Sequence, residues 1–87
     1  MAGGGPVALM WEARAREGRG AELLAWARGR ALEPAPERRE TFTAAGERVL
    51  VITWWPEGAE APPELPEPPG ELLQRPVHRW RFTPVPD

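Results

Sequence analysis

The stretch RVLVITWW, residues 48–55, is apolar on both sides that a strand presents. Successive strand side chains point to opposite faces of a sheet. Val49, Val51, Thr53 and Trp55 therefore share one face, and Leu50, Ile52 and Trp54 the other. The two adjacent tryptophans cannot enter the same core. A sheet covered on one side only carries polar residues on its bare side, so this strand asks for two covers. A chain of 87 residues buries only roughly 60% of its unfolded surface and has one thin core to offer. It contains no cysteine, so neither a disulfide nor a Cys-ligated zinc can staple it. Oligomerisation is the remaining common remedy.

The rest of the chain arranges itself around this strand. Residues 1–6, MAGGGP, read as a flexible lead-in to a single domain over 7–85. VALMWEARA (7–15) alternates, with Val7, Leu9, Trp11 and Ala13 against Ala8, Met10, Glu12 and Arg14, the pattern of a strand with one fully apolar face. Gly18 and Gly20 break it. AELLAWARGRALE (21–33) changes to a helical period, with Leu23, Leu24, Ala27 and Ala31 on one face. Gly29 weakens its second half and Pro34 and Pro36 stop it. ERRETFTAA (37–45) reads as a polar edge strand joined to the 48–55 strand by a tight turn at Ala45-Gly46-Glu47, an antiparallel hairpin. Residues 56–70 hold six of the twelve prolines and read as an extended surface loop. ELLQR (71–75) has room for one or two helical turns before Pro76, and VHRWRFTPV (77–85) alternates again.

The order β-α-β-β-α-β is that of a ferredoxin-like α+β domain, a four-stranded antiparallel sheet with helices on one face. The second apolar face is then expected to meet a second copy of the chain, sheet against sheet. Met10, Leu50, Ile52 and Trp54 are the expected interface of that homodimer.

Composition narrows the chemistry. Ser, Cys, Tyr, Lys and Asn are absent, and His78, Gln74 and Asp87 are the single residues of their kinds. That removes the Ser or Cys nucleophile, the Schiff-base Lys and the Tyr acid. It also removes the Lys of a phosphate-binding loop. One His makes a zinc site improbable, and neither a metal nor another cofactor is expected. Eleven Arg stand against thirteen acidic residues for a net charge of −2, without the basic surface that nucleic-acid binding needs. The bias to Ala, Gly, Pro and Arg is that of a GC-rich genome, as in actinomycetes. No apolar run approaches the roughly 20 residues of a membrane span, and residues 1–6 lack a signal-peptide pattern. The expectation is a cytoplasmic protein without a nucleic-acid or membrane partner.

With strand ends LMWEARA and VITWW and no cofactor motif, residues 7–85 resemble the dimeric α+β barrel superfamily. Within it, they resemble its small antibiotic-biosynthesis-monooxygenase-like members of specialised metabolism. The resemblance implies two sheets closing a barrel, with a pocket in each subunit between sheet and helices. There, members oxidise or cyclise aromatic substrates or degrade haem. Trp55 matches the Trp that haem-degrading members carry at the end of the third strand. Ala13 stands where those members have a pocket Asn, and His78 does not match their haem-ligating His.

On this reading Trp11, Trp55 and Trp80 line an aromatic pocket; the plainer alternative is that they fill a small core. His78 is the one side chain with an ordinary pKa near neutrality and so the obvious general base. The alternative is an exposed His at a strand start. Glu12 is expected to pair across strands with Arg79 or Arg81. The Pro-rich segment offers PxxP-like Pro63 to Pro66 to a partner, or serves as a pocket lid or plain linker. Three functions follow: a cofactor-independent monooxygenase or cyclase acting on an aromatic or polyketide-like metabolite, a non-catalytic ligand-binding or accessory dimer, or a pure dimerisation module with no pocket.

Overall fold

In the computed structural model, which describes residues 6–87, the chain runs β1 (Val7–Arg14), α1 (Gly20–Arg28), β2 (Arg38–Ala44), β3 (Arg48–Trp55) and β4 (His78–Phe82). A single 3-10 turn, Gly70–Leu72, precedes β4. The expected lead-in over residues 1–6 lies outside the described residues except for exposed Pro6. All four strands join one antiparallel sheet in the order β2-β3-β1-β4. The two most apolar strands, β1 and β3, are thus central, and the polar β2 and short β4 form the edges.

Register decides which side chains share a face. Val7, Leu9, Trp11 and Ala13 stand opposite Trp55, Thr53, Val51 and Val49, and all eight are buried. This is the closed face, which α1 covers with Leu23 and Ala27, themselves fully buried. Trp26 of α1 stacks on Trp11 with ring centroids 6.3 Å apart. The indole of Trp55 donates to Thr53 Oγ1 at 2.9 Å, so the one buried hydroxyl on β3 is satisfied inside the core.

The helix is held by residues distant in sequence. Arg19 at its N-cap makes no side-chain cap; instead Glu47, in the β2–β3 turn, accepts the backbone N–H of Gly20 at 2.9 Å and that of Gly18. A carboxylate there satisfies orphan donors and favours the positive end of the helix dipole. Gly20 permits the approach, since a Cβ on it would lie 2.4 Å from Glu47 Oε1. At the other end the guanidinium of Arg39 donates to the carbonyls of Ala27 (2.8 Å) and Arg30 (2.6 Å). Its burial lowers its pKa below that of an ordinary arginine. The helix ends at Arg28 rather than at residue 33: Gly29 is its C-cap, and the chain turns down to bury Leu32.

The second helix expected at 71–75 is reduced to the 3-10 turn, because its backbone bonds to the end of β1 instead: the N–H of Gln74 donates to the carbonyl of Arg14 and that of Arg16 to the carbonyl of Leu72, both at 2.9 Å. Its place over β1 and β4 is taken by the Pro-rich segment. Leu65 is buried to 2% exposure and joins the core, Pro68 is buried as well, and Ala59 packs against the same cluster. Residues 56–70 are therefore a packed strap rather than a plain surface loop. Arg79 of β4 fastens it, donating to the carbonyl of Leu65 at 2.8 Å and pairing with Glu64 at 3.2 Å. The backbone N–H of Val77 donates to Glu67 at 3.1 Å.

Candidate functional site

Beneath the strap and helix, where an aromatic pocket was expected, the closed face is filled. The void bounded by Leu9, Trp11, Val51, Thr53 and Leu65 measures only about 10 Å³, the size of a single water site at most. Ligand pockets start near roughly 300 Å³. Trp11 and Trp55 both lie on this face, 3% and 2% exposed, and act as core. The indole N–H of Trp11 has no acceptor among the described residues.

Trp80 and His78 do not join them. Trp80 stands opposite Met10, His78 opposite Glu12 and Phe82 opposite Ala8, which puts all three on the other face of the sheet. The alternation in VHRWRF groups these side chains correctly, but the group faces away from the helix. The reason is Arg79: in register with Trp11, it is needed on the closed face to hold the strap. The expected constellation of Trp11, Trp55, His78 and Trp80 is thereby split between two faces. The expected pairing of Glu12 with Arg79 or Arg81 fails for the same reason, since both arginines occupy closed-face positions.

On this second, open face the chain gathers Ala8 and Met10 from β1, Leu50, Ile52 and Trp54 from β3, Phe42 from β2, and Trp80 and Phe82 from β4. Ala8 is buried among its neighbours, and Met10, Leu50, Ile52 and Trp54 are half-buried. Phe42, Trp80 and Phe82 remain 44–47% exposed. Arg38 lies over the ring of Trp54 at 4.8 Å from its centroid, and that second tryptophan is half-buried.

One end of the open face carries the polar chemistry. Glu12, in the middle of β1, is 8% exposed. Both its carboxylate oxygens accept hydrogen bonds from Arg75 Nη2, at 2.7 and 2.9 Å. His78 Nδ1 lies 3.5 Å from Oε1 and Arg48 Nη1 3.9 Å from Oε2, both beyond hydrogen-bond reach. Arg14 faces Arg48 across the β1–β3 pair. One buried carboxylate thus sits among two arginines and an imidazole. Beside it opens a depression of about 250 Å³ walled by Met10, Glu12, Ala44, Arg48, Leu50 and Trp80. The edge of His78 meets Trp80 at 5.4 Å between centroids.

Arg48 and Arg75 carry this cluster, and the sequence reading had singled out neither. Arg75 closes the ELLQR segment, whose direction depends on the 3-10 turn. The position of Arg48 depends on the β1–β3 register, which no local pattern encodes. A larger depression of about 420 Å³ lies at the end of the sheet between Arg14, Glu17, Gly46, Glu47 and Gln74. Two of its polar side chains already have partners: Arg14 donates to the carbonyl of Gly46 at 3.1 Å, and Glu47 caps α1.

No group of three or more His, Cys, Asp or Glu side chains suited to a metal ion occurs among the described residues. No helix among them is long and apolar enough to cross a membrane. Comparison with family models, with curated proteins and with solved structures yields no match.

Proposed function

We propose that the chain is the protomer of a ferredoxin-like homodimer that binds a small molecule without turning it over, its two sheets packed face to face as in the dimeric α+β barrels. The observation that carries this reading is the uncovered apolar face. Strands about 4.8 Å apart and some six residues long at ~3.3 Å each give it a flat footprint of roughly 400 Å². Exposed apolar patches of that size on monomers commonly mark an interface. Side-chain relief brings the accessible area toward the ~800 Å² per partner of a standard interface. A second copy suits this face because one patch serves both sides of a two-fold contact. Met10, Leu50, Ile52 and Trp54 form its centre, with Phe42, Trp80 and Phe82 toward its edges. The filled closed face has no room for a small molecule, so the ligand of this reading belongs on the open face.

The proposal is checked by sedimentation at micromolar concentration, where a dimer is expected. Trp54→Glu, which places a charge at the centre of the contact, should shift it to monomer with its circular dichroism unchanged. A wild-type monomer at that concentration would refute the reading. A second reading, a cofactor-independent monooxygenase or cyclase, draws on one observation, the His78 imidazole 3.5 Å from the Glu12 carboxylate. In that case His78 is a base on the open face, and His78→Ala abolishes turnover of an aromatic substrate while leaving its binding intact.

A further inference from the structure

We infer that the depression beside Glu12 is a binding site for a small aromatic carboxylate, anchored by Arg48 and walled by Trp80, Met10 and Leu50. The inference rests on the face-to-face dimer proposed above, in which the partner's sheet roofs the depression.

Charge is the first argument. The strand residues of the open face include only two acids, Glu12 and Glu40, and Glu40 is held by Arg38. Glu12 alone faces Arg48, Arg75 and His78. Glu47, next to Arg48 in sequence, is turned to the N-terminus of α1. Each open face therefore carries an excess of positive charge at this corner. A second sheet packed over this corner would desolvate its guanidinium groups, which is costly unless an anion accompanies them.

Donor geometry is the second. Arg75 already forks onto Glu12, and its Nη1 donates to the carbonyl of Pro76 at 3.2 Å. Arg48 has only its Nε hydrogen-bonded, to the carbonyl of Ala45 at 2.9 Å, while its Nη1 makes a long ion pair with Glu12 at 3.9 Å. Its two terminal nitrogens make no hydrogen bond among the described residues. They present the planar pair of donors that grips a carboxylate bidentately. Glu12 repels a ligand carboxylate from the floor and so directs it to the rim, where Arg48 stands.

Shape is the third. Beside the guanidinium lie Met10 and Leu50, with the half-exposed ring of Trp80 across from them. An apolar floor and an aromatic wall accommodate a flat ring, and about 250 Å³ admits only a small one.

The probe is benzoate, with benzamide as its neutral isostere. Binding is followed through the Trp80 indole resonance, assigned by its loss in Trp80→Ala, in the full chain and in Arg48→Gln, while sedimentation records the oligomeric state of the same samples. Benzoate should shift the Trp80 resonance, and both benzamide and Arg48→Gln should weaken binding by about tenfold or more. Added benzoate should also tighten the dimer, since a ligand that prefers the associated state stabilises it. The site is overturned if benzoate gives no shift up to about 10 mM, tenfold above a ~1 mM dissociation constant. It is equally overturned if benzamide or Arg48→Gln binds as well as benzoate does to the wild type. A dimer that ignores benzoate refutes the site and leaves the dimer. A monomer that binds benzoate through Arg48 refutes the dimer and leaves the anchor.

Discussion

The two faces of β1 and β3 start from similar alternations and end in different surroundings. On one, Val7, Leu9, Trp11 and Ala13 meet Trp55, Thr53, Val51 and Val49, and a helix and a strap seal them. On the other, Ala8, Met10, Leu50, Ile52 and Trp54 lie with Phe42, Trp80 and Phe82, and all but Ala8 stay half-buried or exposed. The difference separates two tasks that apolar residues perform. Side chains on the closed face contribute to folding whether or not a partner is present. Those on the open face gain most of their burial only through association. The largest effects on folding should therefore come from the closed face.

Trp11→Ala should be the most damaging substitution. Removing a buried Trp costs about 3–5 kcal/mol, a large share of the roughly 4–13 kcal/mol available to a chain of this length. Urea denaturation should show a variant largely unfolded or with a sharply lowered midpoint. Trp11→Phe refines the point. The Trp11 N–H is buried without an acceptor among the described residues, so the phenyl ring loses volume but also sheds an unsatisfied donor worth about 1–3 kcal/mol. Its loss should stay below about 1.5 kcal/mol. A Trp11→Ala midpoint near wild type would break the assignment of this face to the core.

The strap should come next. Leu65→Ala removes a buried anchor, at a cost of about 2–5 kcal/mol, or a drop in melting temperature of at least ~8 °C for a domain of this size. Replacing residues 59–67 by a few glycines should abolish cooperative unfolding. A plain linker would lose only a few degrees in either experiment.

How legible these surroundings were depends on the range of the information. Strand positions were readable because alternation is local: 48–55 is observed as β3 to the residue, and the turn at Ala45-Gly46-Glu47 joins β2 to β3. The separation of Trp54 from Trp55 follows from the same period. Grouping His78, Trp80 and Phe82 was also local, but the side they face was not. That is set by Arg79 holding a strap whose anchor lies 14 residues earlier. The strap itself was masked by its prolines. Proline excludes helix and ladder, but it does not exclude burial, and Leu65 among prolines gives no periodic signal. The cluster around Glu12 joins residues 63 apart, beyond the reach of any spacing rule.

A smaller effect is expected where the closed face borrows support from the β2–β3 turn. Glu47→Ala removes the acceptor for two N–H groups at the start of α1 and should cost about 0.5–2 kcal/mol, as other helix caps do. Gly20→Ala should produce a comparable loss by displacing the same carboxylate. The double variant should then lose less than the sum of the two, because the shared contact can be removed only once. Strict additivity in a thermal-melt cycle would show that the cap contributes nothing to holding the helix.

The smallest change in folding should come from Phe82→Ala, although Phe82 is as apolar as any core residue. It sits on edge strand β4, 47% exposed, with only Ala8 opposite it across the β1–β4 pair. An alanine cross-strand neighbour provides little ring-to-ring contact, and exposed substitutions usually stay within about 0.5 kcal/mol. Urea midpoints measured at a concentration too dilute for association should therefore match the wild type, while sedimentation at higher concentration should register weaker self-association. The pairing of the two readouts is what gives the substitution its value. A closed-face variant such as Leu65→Ala should lower the midpoint at every concentration, whereas Phe82→Ala should lower it only where the wild type gains stability from association. A concentration-independent loss of about 2 kcal/mol or more at Phe82 would mean that the chain covers this face itself, and the contrast between the two sides of the sheet would no longer hold.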